Sequence, residues 1–332
     1  MKINFLKAGS GDCILIRHNG KNVLIDGGND SSYLIDQIKH IYNASEKIDI
    51  LIITHHDDDH IKGILELLTL LNIGEFGEAK TFIDKIFFNS PNISKLPIEN
   101  NDENLISFNQ AKEVEKLLTK MNLTWEQCLE NKEVNLDGLK LEFLSPTAEA
   151  VKEYYDFAGE LLTSEYKSDW SSTLDNLLKY VDDKSQDRSK LNASSIVILL
   201  TCEKKKVLLT ADVTPKRLEQ IINKLAEKES DGLVYFDLVK LPHHGSYRSL
   251  NKKIISKICC LNFVITTNGK KHYHPNKKTI AKIIEYSNRK ETDEINFFFN
   301  YDLRKELNFS NIDLSKYKIK LLKHNSTFGY VI

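Results

Sequence analysis

Seven of the ten histidines fall in three short clusters: His55, His56 and His60; His243 and His244; His272 and His274. Each cluster follows an apolar stretch that reads as a strand. Histidines that only fill core or surface positions would scatter. The densest segment is Thr54-His-His-Asp-Asp-Asp-His60. In an extended loop residues two apart project to one side, so His55, Asp57 and Asp59 can converge, with His60 opening the next helix. Imidazole nitrogens and carboxylate oxygens are the usual ligands of Zn and Mn. Consecutive carboxylates repel unless a cation or water neutralises them. Read blandly, the same segment is a solvated acidic loop in which Asp59 caps a helix.

Three further segments could join it. Val207-Leu-Leu-Thr-Ala-Asp212 is an apolar strand ending in a carboxylate, and its plain alternative is a cap for the helix starting at Thr214. In Leu241-Pro-His-His-Gly-Ser246, Pro fixes the approach, Gly permits a tight turn, and two imidazoles leave a strand end. His272-Tyr-His-Pro275 is a loop of the same kind. Asp26, ahead of Gly27-Gly28, ends an early strand and can accept a hydrogen bond that orients a metal ligand, or can be a turn residue. Gly9-Ser-Gly-Asp12 lacks the Lys-Ser/Thr of a phosphate-binding loop.

The elements that must position these residues are legible in outline. Strands are expected at Ile3–Leu6, Cys13–Arg17, Asn22–Ile25, Ile48–Ile53, Leu139–Leu144, Ser195–Leu200, Lys206–Thr210, Leu238–Leu241, Asn262–Thr266, Asn296–Asn300 and Lys318–Leu322. Helical spacing marks Ser31–Tyr42, Ile61–Leu71, Ser107–Met121 and Thr214–Glu227. Strands dominate both ends and helices intervene in each half, which predicts two packed sheets with helices outside. Residues 89–132 and 148–191 are charged and read as surface elaborations.

Composition narrows the class. The 332 residues are 41% hydrophobic, enough for a sizeable core, with 46 basic and 47 acidic residues. No apolar run approaches a membrane span, and five cysteines without a CxxC pair argue against a disulfide scaffold or thiolate site. A reducing cytoplasm and no membrane contact are expected. Charge is uneven: residues 237–280 hold nine Lys/Arg against one acid, a local +8 in a chain of net −1. That segment carries two of the histidine clusters, which suits a polyanionic substrate.

These segments together resemble the metallo-β-lactamase superfamily, and within it the hydrolase domain of ComEC-type competence proteins. The matching stretches are Gly9–Ile16, Leu24–Gly28, Thr54–His60, Asn192–Ser195, Leu208–Asp212, Pro242–Ser246 and His274-Pro275, in the family's order. The resemblance implies one α/β domain over residues 1–332, an αβ/βα four-layer sandwich with helical insertions and a C-terminal strand region from about 295. It implies one or two divalent ions, Zn or Mn. One would take His55 and Asp57; the other would take Asp59, His60 and His243 or His244; Asp212 would bridge them. Asp57 stands where most of the superfamily has histidine, the middle metal-binding histidine is missing from the aligned stretch Asn192–Ser195, and Ala211 stands where the superfamily has glycine. Asp26 would orient the ligands. Asp59 and His274 would handle protons, and Lys240, Ser246, Arg248 and Lys271 would meet substrate phosphate. The implied activity is a phosphodiesterase, a nuclease on DNA. A small ester, thioester or lactam hydrolase is the alternative. A non-catalytic metal-binding sensor of a bacterial defence system, docking a protein partner through the two elaborations, is another.

Overall fold

The computed structural model describes residues 1–90, 106–155, 168–182 and 184–332. Its strands are β1 (Lys2–Leu6), β2 (Ile14–His18), β3 (Lys21–Ile25), β4 (Ile48–Ile53), β5 (Ile83–Phe88), β6 (Glu133–Leu136), β7 (Leu139–Ser145), β8 (Val197–Cys202), β9 (Lys205–Leu209), β10 (Val234–Tyr235), β11 (Leu238–Lys240), β12 (Ile258–Cys259), β13 (Asn262–Ile265), β14 (Ile295–Phe299), β15 (Ile319–Leu322) and β16 (Gly329–Val331). The helices are α1 (Ser32–Asn43), α2 (Asp58–Asn72), α3 (Ala79–Phe82), α4 (Ile106–Lys120), α5 (Ala148–Tyr155), α6 (Leu174–Leu178), α7 (Lys190–Ala193), α8 (Pro215–Ala226), α9 (Lys252–Ile255), α10 (Lys277–Tyr286), α11 (Arg304–Leu307) and α12 (Asn311–Lys316). Among the described residues no helix is long and apolar enough to cross a membrane.

One main sheet runs β16-β1-β2-β3-β4-β5 and the other β15-β14-β13-β11-β9-β8-β7-β6, while β10 and β12 pair separately. Side-chain alternation explains how they stack. In β4, Ile50 and Ile52 face the other sheet, while Leu51 and Ile53 face helices. In β8, Ile198 and Leu200 enter the same inter-sheet core, while Val197 and Leu199 face outward to a second set of helices. The near-continuous apolar runs follow from burial on both faces. The result is the expected mixed α/β sandwich: helices α1, α2 and α4 cover the first sheet, and α6, α8, α9 and α10 the second. The C-terminal strands divide between the sheets, β14 and β15 joining the second and β16 pairing with β1.

Several expectations are corrected. Strands β5 and β16 and helix α10 were not foreseen. The elaborations are not all surface. Parts of them, residues 91–105, 156–167 and 183, lie outside the described residues. Within the rest, Leu174, Leu177 and Val181 join the core of the second sheet. Asp169 accepts hydrogen bonds from the first backbone N–H groups of α10, Lys277 and Lys278, at 2.8 Å each. Trp170 donates to the Pro275 carbonyl. This stretch therefore anchors the His272–Pro275 loop.

Strands β3 and β4 run parallel, as do β9, β11 and β13. Parallel strands deliver their carboxyl ends to one edge, where loops are free to carry ligands. Asp26, Thr54–His60, Asp212, Pro242–Ser246 and Thr266 all follow such ends.

Candidate metal centre

Helix α2 begins at Asp58, so Asp59 and His60 occupy its first turn and Asp57 is the N-cap residue. The expected alternating projection of His55, Asp57 and Asp59 from an extended loop is thus replaced: two acidic residues at a helix N-terminus are favoured by the local dipole, and the helix starts earlier. No side-chain cap bond is made at Asp57. Glycine lets this turn approach its neighbours. Gly27 N–H donates to the His60 carbonyl at 2.8 Å and Gly63 N–H to the Gly28 carbonyl at 2.9 Å. A Cβ on Gly63 would stand 2.1 Å from the Gly27 carbonyl oxygen.

Three imidazoles converge on Asp212. His60 Nε2 lies 3.3 Å from Asp212 Oδ1. His244 Nε2 lies 3.4 Å and His243 Nε2 3.7 Å from Asp212 Oδ2. The far nitrogen of each ring has its own carboxylate. His60 Nδ1 donates to Asp26 at 2.8 Å, His243 Nδ1 to Asp187 at 3.3 Å, and His244 Nδ1 approaches Asp12 to 3.3 Å. An ionised carboxylate only accepts, so at His60 and His243 it keeps a proton on Nδ1 and turns Nε2 toward Asp212, while His244 Nδ1 lies beside Asp12 without a hydrogen bond. Carboxylate-backed imidazoles of this kind are how proteins orient metal ligands. Asp26 is held by the Thr54 N–H at 2.8 Å and hydroxyl at 2.6 Å.

The other placements follow. Asp12, His60, Asp212 and His244 offer ligand atoms all within 4.8 Å of one another. Asp59 Oδ2 is 3.6 Å from His244 Nε2, and its Oδ1 is 3.3 Å from Lys271 Nζ. His55 Nε2 is 3.6 Å from Asp57 Oδ2, and its ring lies 4.1 Å from that of His60. The His274 ring is 5.2 Å from that of His243. Ser246 is buried and Arg248 half-buried. Lys240 is enclosed, 2.5 Å from Asp12 Oδ2 and 3.8 Å from Asp212 Oδ1. It sits inside the centre and not on the rim where substrate phosphate would lie.

The residues fit a divalent cation. Five carboxylates (Asp12, Asp26, Asp59, Asp187, Asp212) face two ammonium groups (Lys240, Lys271), which leaves three negative charges in a largely buried site. His60 Nε2, His244 Nε2 and Asp212 Oδ1 are buried without a hydrogen-bond partner. In the protein alone, the charge is met by holding protons on the rings. Burial pulls the His244 imidazole down, but Asp212 and then Asp12 outweigh it and carry it to about 9. His60 is raised too, Asp212 and Asp26 outweighing its burial.

Backbone strain concentrates here. Asp26 (φ 55°), Ala211 (φ 45°), His243 (φ 48°), His244 (φ 54°), His272 (φ 58°) and Tyr273 (φ 53°) all adopt left-handed conformations. Each costs on the order of 1–3 kcal/mol and persists where the surroundings over-determine it. His243 N–H donates to the Ala211 carbonyl at 3.0 Å, which locks the histidine turn to the strand end bearing Asp212.

Asp12 and Asp187 were not expected in the site. Asp12 belongs to the glycine-bearing loop after β1, and Asp187 to a stretch read as surface. The only sequence signal was Lys240: a lone lysine in an apolar parallel strand requires a buried carboxylate partner. Lys240→Met strands Asp12 as an uncompensated charge and is expected to cost about 3–5 kcal/mol, measured by urea unfolding.

His56, behind the ligand loop, packs on Phe108 and Tyr154 and is held neutral by burial, its pKa down at about 3. Since its unfolded value is near 6.5, the unfolded chain takes the proton first. The stability it contributes is whole above pH 6.5 and declines as pH falls toward 3. His56→Gln is expected to flatten that acid limb in unfolding titrations at pH 7 and pH 5.

Residues 6–84 match the family model described as the metallo-beta-lactamase superfamily, a span that carries β2–β4 and the Thr54–His60 segment. No curated protein matches the chain. Among solved structures, the chain is similar to the metallo-beta-lactamase fold protein YhfI from Bacillus subtilis, at 10% identity and TM-score 0.44, covering 100% of this chain and 98% of that one. It is also similar to Zn(2+)-bound PqqB from Methylobacterium extorquens, at 12% identity and TM-score 0.48, covering 100% and 99%. The match and the two-sheet architecture agree with a metallo-β-lactamase fold.

Proposed function

We propose that this chain is a metal-dependent phosphodiesterase whose substrate is DNA, of the ComEC-type group its motifs resemble. The observation that carries the reading is the set of three carboxylate-backed imidazoles aimed at Asp212. Asp59, His60, Asp212 and His244 would hold a divalent ion, Zn or Mn, with His55 and Asp57 beside them. Such an ion lowers the pKa of a bound water toward neutrality and draws charge from a phosphoryl oxygen. The chain's own residues do the rest. Asp59 turns one oxygen inward and is steadied on the other by Lys271. His274, kept uncharged by burial first and His243 second, stands beside His243 as a hydrogen-bonding group for the departing oxygen.

Support for a polyanion comes from the rim. Lys270 and Lys271 are exposed on the loop that leads to His272, and Arg248 is half-exposed nearby in sequence to the histidine pair. Lys240 and Lys277 are enclosed, so the local charge available to a substrate is smaller than the sequence count. Lys271→Ala is expected to weaken DNA binding and reduce the slope of log K against log salt by about 1. Fluorescence anisotropy at 50–200 mM salt (a range set by typical phosphate-contact behaviour) reads it.

The test is hydrolysis of plasmid DNA, linear DNA and bis(4-nitrophenyl) phosphate with Mn, Zn or Mg, beside 4-nitrophenyl acetate and a chromogenic lactam. Asp59→Ala and His60→Ala, checked by circular dichroism, serve as controls. Phosphodiester cleavage lost in both supports the proposal. Ester or lactam cleavage alone assigns a small-molecule hydrolase. No cleavage by a metal-loaded protein would contradict the enzyme.

A further inference from the structure

We infer that Tyr273 is a stacking surface for a nucleobase: the loop Gly269–Pro275 holds its exposed ring beside the metal centre, where it takes an unpaired base of the strand whose phosphate the centre engages. This rests on the phosphodiesterase reading above.

Among the described residues the exposed aromatic side chains are Tyr42, Tyr180, Tyr235 and Tyr273. Only Tyr273 stands between two histidines of the centre's wall. The His272 and His274 rings are 5.9 Å apart, and the His274 ring lies 5.2 Å from that of His243. Tyr273 is 45% exposed, so much of its apolar area forgoes the gain that burial would bring. Its backbone is disfavoured as well. His272 (φ 58°) and Tyr273 (φ 53°) are consecutive left-handed residues, a conformation that suits bulky side chains poorly.

Trp170 braces this loop at both ends. Its Nε1–H donates to the Pro275 carbonyl at 2.8 Å. Its ring also lies against Gly269, where a Cβ would stand 2.9 Å from Trp170 Cη2 and 3.1 Å from Leu303 Cδ2. Tyr273 meets the indole at 89°, with ring centroids 6.1 Å apart. That edge contact fixes the phenol without stacking it face to face, and leaves nearly half of the residue to a ligand.

Charge says what the ligand is. Lys270 and Lys271 lead into the same loop, and Lys271 Nζ is 3.3 Å from Asp59 Oδ1 in the centre. Two residues of chain span at most about 7 Å, so a phosphate drawn to Lys271 brings its attached base within reach of Tyr273. An aromatic ring beside a basic loop is the combination that holds single strands, the ring taking the base and the cations the backbone. A base inside a duplex has both faces covered by its neighbours, so Tyr273 selects an unpaired one.

The experiment measures binding of the full chain, by fluorescence anisotropy, to a labelled phosphorothioate oligothymidylate that resists cleavage. The comparison strand is fully abasic, of equal length and charge. Tyr273→Ala is expected to weaken the oligothymidylate by about 5- to 100-fold and to leave the abasic strand unchanged. Tyr273→Gly, which removes the ring and relieves the left-handed backbone, shows the same loss. Tyr273→Phe keeps wild-type affinity, because stacking uses the ring and not the hydroxyl. The slope of log K against log salt is the same in Tyr273→Ala as in the wild type, since no phosphate contact is lost. Circular dichroism and metal content confirm that each variant keeps its fold and its centre. A wild type that binds neither strand contradicts the nucleic-acid reading itself. Folded Tyr273→Ala or Tyr273→Gly that binds the oligothymidylate like the wild type, or loses both strands equally, overturns the inference alone.

Discussion

Asp212→Ala is expected to empty the centre. It removes both oxygens on which His60, His243 and His244 converge, and leaves three imidazoles facing one another. Stoichiometric divalent-ion binding should disappear, and phosphodiester hydrolysis should fall by about 10³-fold or more, since losing one charge-stabilising ligand set removes several kcal/mol at roughly 1.4 kcal/mol per decade. Stability need not fall with it. The buried carboxylate is desolvated at a cost, and its loss also releases the rings from holding protons. Denaturant unfolding beside the metal count separates a vacated centre from a collapsed one.

Gly11→Ala is expected to be as damaging through geometry alone. A Cβ there would lie 1.6 Å from the Asp59 carbonyl oxygen and 2.6 Å from Asp59 Cβ. Both are parts of the helix start that presents Asp59 and His60, and Asp12 N–H donates to that same carbonyl at 3.2 Å. Backbone has nowhere to give, so either the Asp12 loop or the first turn of α2 must move. The cost should reach about 3 kcal/mol, the upper end of ordinary overpacking. Metal affinity should fall with it, because Asp12 and Asp59 both touch His244. A variant of wild-type stability and metal affinity would show that the two loops are not closely packed.

The readable part of this protein is the part where chemistry is contiguous. Thr54–His60 places ligand types side by side after an apolar strand, so spacing alone points to a metal. The two-sheet architecture is readable because strands such as β4 and β8 are apolar on both faces. Asp212 was legible only weakly, since a carboxylate at a strand end is as well explained by a helix cap. Asp187 was invisible, and Asp12 was signalled only through Lys240, for a physical reason. Their partners, His243 and His244, are distant in the chain, and no periodicity relates them. Counting lysines also misled at Lys240. Net charge cannot tell an ammonium buried against Asp12 and the Ala211 carbonyl from one in water. The start of α2 was misjudged because the acidic run was read either as ligand loop or as a loop whose Asp59 caps the helix, whereas Asp57 is the N-cap residue and Asp58 and Asp59 already lie in the first turn.

The account turns on where an ion sits. Crystals of the full chain soaked in Mn²⁺ or Zn²⁺ and measured at the metal absorption edge would show it directly. The prediction is an anomalous peak enclosed by Asp59, His60, Asp212 and His244, absent from Asp212→Ala crystals. A loaded crystal whose only peaks lie elsewhere, with those four side chains still meeting one another, would contradict the metal centre and the hydrolase built on it.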